Sequence, residues 1–284
     1  MSRTKSVGQF IFSILFILGI IFLITTFNKP QAAGDLKVYF LDVGQGDSTY
    51  IKLPSGKDIL IDGGPDNSVL NQLGKVMDFA DREINLVILS HPHADHLNGL
   101  LEVLDRYKID QVWETGVEYP SSTYDSFKEK IKNQNIPDKF VKAGDTIYFG
   151  DIKISILYPL SGLEKKTIDN LNNASIVNRL DNNKFSILFS GDLEKDIQKQ
   201  LLDKNIFTDV LKVAHHGSEN GLSEDFLNVV RPEIAVISVG YDNKYGHPAS
   251  SVISLLKKYA VKIYRTDQNG TVEIDSNGKG YWVK

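Results

Sequence analysis

The apolar positions divide the chain into stretches of different period. From Asp35 onward, LKVYFLDV, STYIKL and KDILIDGG are apolar, β-branched or aromatic runs separated by Gly44, Gly46, Pro54-Ser55-Gly56 and Gly63-Gly64. Runs of this kind bounded by turn residues predict strands. The period then changes: Val69, Leu70, Leu73, Val76 and Met77 recur at helical spacing between Asn67 and Ala80, which predicts an amphipathic helix. An apolar strand at Leu86 to Leu89 follows, then a helix from about Leu97 to Tyr107, a strand around Val112 and a helix from about Ser122 to Asn133. The second half begins again with strands, at DTIYFG, IKISILYP, SIVNRL and KFSILFSG. Helix and strand then alternate through LKVAHHGS, EIAVISVG and KIYRT. Two halves that each open in sheet and close in alternation predict an α/β architecture of two face-to-face sheets with helices outside, four layers in the order αββα.

The N-terminus has neither period. Residues 7–27 carry no charge and follow Arg3 and Lys5; as a helix they would span roughly 31 Å, close to a bilayer core. The expected organisation is a membrane anchor or signal segment over 1–27, a linker over 28–34 and a folded domain over 35–284. The apolar run is long for a signal core and Pro30-Gln31-Ala32-Ala33 is a poor cleavage site, which favours an uncleaved anchor over secretion after cleavage. With Arg3 and Lys5 before the run and Lys29 alone close after it, the positive-inside rule puts the large domain outside the cell.

Composition narrows the chemistry. The 284 residues contain no cysteine, so disulfides and thiolate ligands are excluded and any metal must be held by nitrogen and oxygen. Without residues 1–33, which hold three basic and no acidic side chains, the formal net charge is −7. Such a domain is not built for tight non-specific binding to nucleic acid through phosphate neutralisation.

All six histidines fall in three motifs, each after an apolar strand. SHPHADHLNGL, residues 90–100, holds three of them. Pro92 disfavours helix at His91, and alternate residues of an extended segment point the same way, so His91 and His93 can share one metal. Asp95 and His96, where the chain turns into the next helix, can reach a second. Asp192, in ILFSGDLE, occupies the same strand-to-helix position; alone it would read as a helix cap, but beside the first motif it is a candidate bridging carboxylate. In VLKVAHHGS, a continuing strand would point His215 and His216 to opposite faces, making one a ligand and the other either a support for the ligands or a substrate contact. His247 follows a further buried strand, in VISVGYDNKYGHP.

The motif set HPHADH, SGDLE, AHHGS and YGHP, with the earlier LDVGQGDS and LIDGG, resembles the metallo-β-lactamase superfamily. Within it the likeness is to the hydrolase domain at the C-terminal end of ComEC-type DNA-uptake proteins, over about Leu36 to Ile274; the many-helix channel part has no counterpart here, so the expectation is a separate, anchored version. The resemblance implies an αββα sandwich, a metal site at one sheet edge, and hydrolysis of phosphodiesters by attack of a metal-bound hydroxide on phosphorus, with nuclease activity on DNA. It implies His91 and His93 on one ion, Asp95 and His96 on the other, Asp192 between them, and His247 or His215 completing the second site. Asp95, Asp192, His215 and His247 are then the candidate catalytic residues. His216 and Ser218 are expected to contact substrate, and Asp47 and Asp62 to support the histidine rings. Many superfamily members supply one more histidine before the Asp-bearing strand, where this chain reads LNNASIVNRL, with Asn172, Asn173 and Ser175; two divalent ions are expected, zinc or manganese, with manganese favoured by the missing ligand. The alternative is a hydrolase of another ester (a lactone, a thioester or an envelope phosphoester), and no protein partner is inferred. A binding module with a purely structural metal would have a closed ligand shell, which this set does not supply.

Overall fold

The computed structural model describes residues 35–284; the anchor and linker expected at 1–27 and 28–34 lie outside the described residues. The first sheet takes β1 (Leu36–Phe40), β2 (Thr49–Lys52), β3 (Asp58–Ile61), β5 (Leu86–Ile88), β7 (Val112–Glu114) and β8 (Asp138–Phe140), while β4 (Glu83–Ile84) and β6 (Lys108–Ile109) pair separately. The second sheet takes β9 (Thr146–Phe149), β10 (Ile152–Tyr158), β11 (Val177–Asn182), β12 (Phe185–Phe189), β13 (Val210–Lys212), β14 (Ile234–Ile237) and β15 (Lys262–Arg265). The chain then leaves the second sheet: β16 (Val272–Ser276) and β17 (Tyr281–Val283) return to the first, β16 antiparallel to β1. The order of the first sheet is therefore β17-β16-β1-β2-β3-β5-β7-β8. Apart from the separate β4–β6 pair, the division into two sequential sheets holds for every strand except this last pair.

Strand alternation builds the layers. Leu36, Val38 and Phe40 of β1 and Ile152, Ile154 and Ile156 of β10 meet in one core between the sheets, with Ile187, Phe189, Val210 and Val236. The opposite faces are covered by helices. On the first sheet, Tyr39 and Leu60 pack against α1 (Ser68–Val76), α2 (Ala94–Arg106) and α3 (Ser122–Asn133) through Leu73, Leu100 and Phe127. On the second, Leu188 and Leu211 pack against α4 (Glu224–Val230) and α5 (Ser250–Lys258) through Phe226, Val230 and Leu256. The result is the four-layer αββα sandwich. Among the described residues no helix is long and apolar enough to cross a membrane.

Strand direction positions the chemistry. β3, β5 and β7 run parallel, as do β12, β13 and β14. Their C-terminal ends carry Asp62, the 90–96 loop, Asp192, His215-His216 and, beyond β14, His247. Side chains at the ends of parallel strands share a crevice in folds of this kind.

Candidate metal centre

The helix expected from Leu97 begins at Ala94, so His93 is its extended N-cap, at φ −70° and ψ 151°, and Asp95 and His96 lie in its first turn. Pro92 keeps the preceding residue out of the helix. His91 is fully buried, and its Nε2 lies 2.9 Å from His93 Nδ1, so the two rings aim at one point. His96, also buried, points its Nδ1 at Asp62 Oδ2 at 2.9 Å and its Nε2 towards Asp192 Oδ2 at 3.3 Å. Asp192 Oδ2 is in turn 3.9 Å from His91 Nε2 and 3.6 Å from His216 Nε2. One carboxylate therefore stands between the His91–His93 pair and the group formed by Asp95, His96 and His216.

The AHHGS segment departs from expectation. The strand stops at Lys212, and both His215 and His216 have φ near 52°, a left-handed conformation uncommon for residues with a Cβ. They are thus not alternating strand residues. The turn drives His216 inward, where its Nε2 is 3.1 Å from Asp95 Oδ2 and its Nδ1 is 2.9 Å from Ser238 O. His215 and His247 line the cleft instead, with ring centroids 5.8 Å apart. The structure thus groups His216, expected on substrate, with the metal-type donors, and leaves the two expected ligands in the cleft wall. Ser218, also expected on substrate, is turned under this loop; it is 5 % exposed, its Oγ has no partner, and it is not among the cleft-lining residues.

Asp62, at φ 59°, accepts from Ser90 N and Ser90 Oγ, both at 2.7 Å, as well as facing His96. Asp47 faces His216 Nδ1 at 3.3 Å and forms a buried ion pair with Lys212. Lys212, Ser90 and Glu194 are functional neighbours that motif reading missed. A lysine inside the apolar run VLKVA was a legible signal, because a charge at a buried strand position requires a partner. The Asn-rich segment does reach the site: Asn172 donates to Glu194 Oε1 at 3.1 Å beside His215, and Ser175 Oγ accepts from Asp192 N at 2.9 Å and lies 3.3 Å from His91 Nδ1.

Electrostatics follow from burial and charge. Burial holds the His91 ring well below its usual pKa, so it presents a neutral nitrogen. Burial also opposes charge on His216, but the Asp192 and Asp47 carboxylates outweigh it and push the ring up to about 10. Burial alone would raise Asp192; the charges of His96 and His216 more than reverse this and hold it well below its usual value.

The donor set fits a divalent cation. Asp95, His96, Asp192 and His216 each bring one nitrogen or carboxylate oxygen to within 4.8 Å of the others. His96 Nε2 and Asp192 Oδ1 are buried with no hydrogen-bond partner, a state that calls for a ligand. The second rings' Nδ1 atoms are fixed by Asp62, Ser238 O and Asp47, the outer contacts that orient metal-binding histidines. A cleft of about 330 Å³, with Tyr119, Asn172 and His247 in its walls, opens onto the group.

A buried nitrogen and carboxylate cluster at the edge of an αββα sandwich, open to a cleft, has the make-up of a metal site. The Metallo-beta-lactamase superfamily matches residues 41–241, and the chain belongs to that superfamily. It is 28% identical over 266 residues to ComE operon protein 3 of Bacillus subtilis, covering 87% of this chain and 34% of that protein. It is 30% identical over 270 residues to Recombination protein 2 of Haemophilus influenzae, covering 93% of this chain and 31% of that protein. The chain therefore spans about a third of the length of these curated relatives. Among solved structures it shares the fold of the metallo-beta-lactamase fold protein YhfI from Bacillus subtilis, with a TM-score of 0.57 at 12% identity, covering 88% of this chain and all of that one. It also shares the fold of Zn(2+)-bound PqqB from Methylobacterium extorquens, with a TM-score of 0.52 at 10% identity, covering 81% of this chain and 97% of that one.

Proposed function

We propose that this chain is a phosphodiesterase acting on DNA, in which His91, His93, Asp95, His96, His216 and Asp192 would hold two divalent ions. The observation that carries the reading is the position of the Asp192 carboxylate between the His91–His93 pair and the Asp95, His96 and His216 group. The recombination name of one relative favours DNA over other diesters. When bound, zinc or manganese would supply Lewis acidity and a water acidic enough to act as nucleophile near neutral pH. The chain's own part is to aim the donors: Asp62 and Ser238 O accept from Nδ1 of His96 and His216, which turns the Nε2 atoms of both rings towards Asp192 and Asp95, where a bound cation would replace their protons. His215 and His247, in the cleft wall, are placed to hydrogen-bond the oxygens of a phosphate seated there through a ring N–H.

The same reading keeps residues 7–27 as a membrane anchor and the hydrolase domain outside the cell, supported by the charge-free run after Arg3 and Lys5. The formal charge of −7 outside the N-terminal segment favours the second reading, hydrolysis of a different ester at the same site, because it weakens attraction for a polyanion. The test is cleavage of labelled linear DNA and of bis(p-nitrophenyl) phosphate by the purified chain with manganese, zinc or no metal, beside Asp95→Ala. Metal-dependent DNA cleavage absent from the variant is expected. Cleavage of the small diester with intact DNA would favour the second reading, and full turnover without metal would end both.

A further inference from the structure

The loop after β14 carries exposed aromatic residues that take no part in the donor cluster yet wall the cavity beside it. This cavity, about 540 Å³, has Tyr241, Lys244 and Tyr245 along one side and shares Gln45, Ala94, Asp95 and Tyr245 with the metal-site cleft. Its volume lies in the range of small-ligand sites. Tyr241 is 86% and Tyr245 59% exposed, and unlike the exposed Phe79 and Tyr148 they line the cavity beside the donor cluster. Large rings left in water next to a reactive centre mark a contact surface.

The loop is tied down. Asn243 Nδ2 donates to Gly240 O at 3.0 Å and to His247 O at 2.7 Å, and Asn243 Oδ1 accepts from His247 N at 3.0 Å. Gly240 N donates to Gln45 Oε1 at 3.1 Å, and a Cβ at Gly240 would lie 2.6 Å from Gln45 N, so only glycine permits this approach. The Tyr245 ring lies at 18° to the His247 ring, with centroids 5.8 Å apart, and Lys244 Nζ is 5.3 Å from the Tyr245 ring centre. The backbone that carries Tyr241, Lys244 and Tyr245 is thus tied beside the loop that lies over Asp95.

We propose that Tyr241 and Tyr245 form a stacking platform for the bases that flank the scissile phosphodiester, with Lys244 beside the backbone, and that the substrate is therefore unpaired nucleic acid. This rests on the phosphodiesterase reading. The net charge makes phosphate neutralisation a weak source of affinity here. Stacking needs no net positive charge and accepts any base, because each has a π face. In a duplex those faces are covered by neighbouring pairs, so the platform reaches only strands whose bases are free.

The test measures binding and cleavage separately on the full chain. Fluorescence anisotropy in EDTA is run with a labelled single-stranded 12-mer, its duplex, and a 12-mer of abasic residues, and cleavage of the same strands is followed with manganese. The wild-type protein is expected to favour the base-bearing single strand. Alanine at Tyr241 or Tyr245 should weaken that binding at least about fivefold for each ring removed, without changing binding of the abasic strand. Tyr241→Phe with Tyr245→Phe keeps both π faces and should bind like wild type; loss there would assign the effect to the hydroxyls and overturn stacking. Alanine variants that bind and cleave like wild type would overturn the platform and leave the phosphodiesterase reading standing. Ring-dependent binding without cleavage would keep the platform and remove the nuclease reading. Neither binding nor cleavage would remove both.

Discussion

Lys212 forms a buried ion pair with Asp47, 165 positions earlier in the chain, and Asp47 in turn faces the His216 ring at 3.3 Å. Burial alone would raise the Asp47 carboxyl; Lys212 and then His216 outweigh it, and the group stays below its usual value. The pair joins the GQGDS turn to β13 under the donor cluster.

Removing one partner of a buried pair strands the other charge, at about 3–5 kcal/mol. Lys212→Met is therefore expected to lower the melting temperature by roughly 6–20 °C, and adding Asp47→Asn should recover part of the loss. Thermal unfolding of both single variants and the double variant measures the coupling. A Lys212→Met protein melting within a degree of wild type would show that the pair does not hold this floor together.

The positions of His216 in the donor group and His247 in the cleft wall give a second test. A metal at 100 times its dissociation constant stabilises a protein by about 2.7 kcal/mol, or roughly 5–11 °C at this size. Asp192→Ala and His216→Ala should abolish the manganese-induced rise in melting temperature. His247→Ala should keep the rise and lower turnover, because its ring lies in the cleft wall rather than in the donor group. The reverse pattern would restore His247 as a ligand.

The packing of α2 yields a prediction opposite to helix propensity. A Cβ at Gly99 would overlap Gly63 O and approach Asp66 O to 2.6 Å, and Gly63 N donates to His96 O at 2.7 Å across the same junction. Gly99→Ala, favourable by about 1 kcal/mol in an isolated helix, should instead destabilise by about 1–3 kcal/mol and weaken metal binding by displacing Asp95 and His96. Gly74→Ala in α1, where a Cβ meets nothing within 4 Å, is the control and should stabilise by about 1 kcal/mol. Equal effects in denaturant melts would show that the close approach is not what glycine serves at 99.

Periodicity made the layers legible because each strand of β1 and β10 alternates between a core and a neighbouring surface, and that alternation is written in LKVYF and IKISILY. The position of His91, His93, Asp95 and His96 at a strand end was legible for the same reason. What the sequence could not disclose is where a strand stops: the left-handed turn at His215 and His216 sends His216 to the donor group and His215 to the cleft wall, and nothing in VLKVAHHGS announces it. Pairings between distant segments, such as Lys212 with Asp47 or β16 with β1, are likewise products of tertiary contact and have no local signature.

A buried carboxyl far from the donor cluster sets a pH dependence of stability. Glu114, at the end of β7, is 1% exposed; its Oε2 accepts from Tyr124 OH while Oε1 has no partner. Burial, and then the Asp138 carboxylate, push it up to about 8, with Lys128 acting weakly in the other direction. The unfolded chain releases this proton near pH 4.3, so between about 4.3 and 8 the folded state binds one proton more than the unfolded state and stability falls as pH rises. Below that window the group costs little, and above it the full penalty remains. Glu114→Gln is neutral at every pH and its amide oxygen can still accept from Tyr124. The variant should lie within about 1 kcal/mol of wild type at pH 5 and exceed it by a few kcal/mol at pH 9. Asp58, raised to about 7 mainly by burial, acts in the same direction, so the variant should keep a smaller slope rather than none. Urea unfolding at pH 5, 7 and 9 reads the difference; parallel curves for the two proteins would mean that Glu114 is ionised in the folded state throughout.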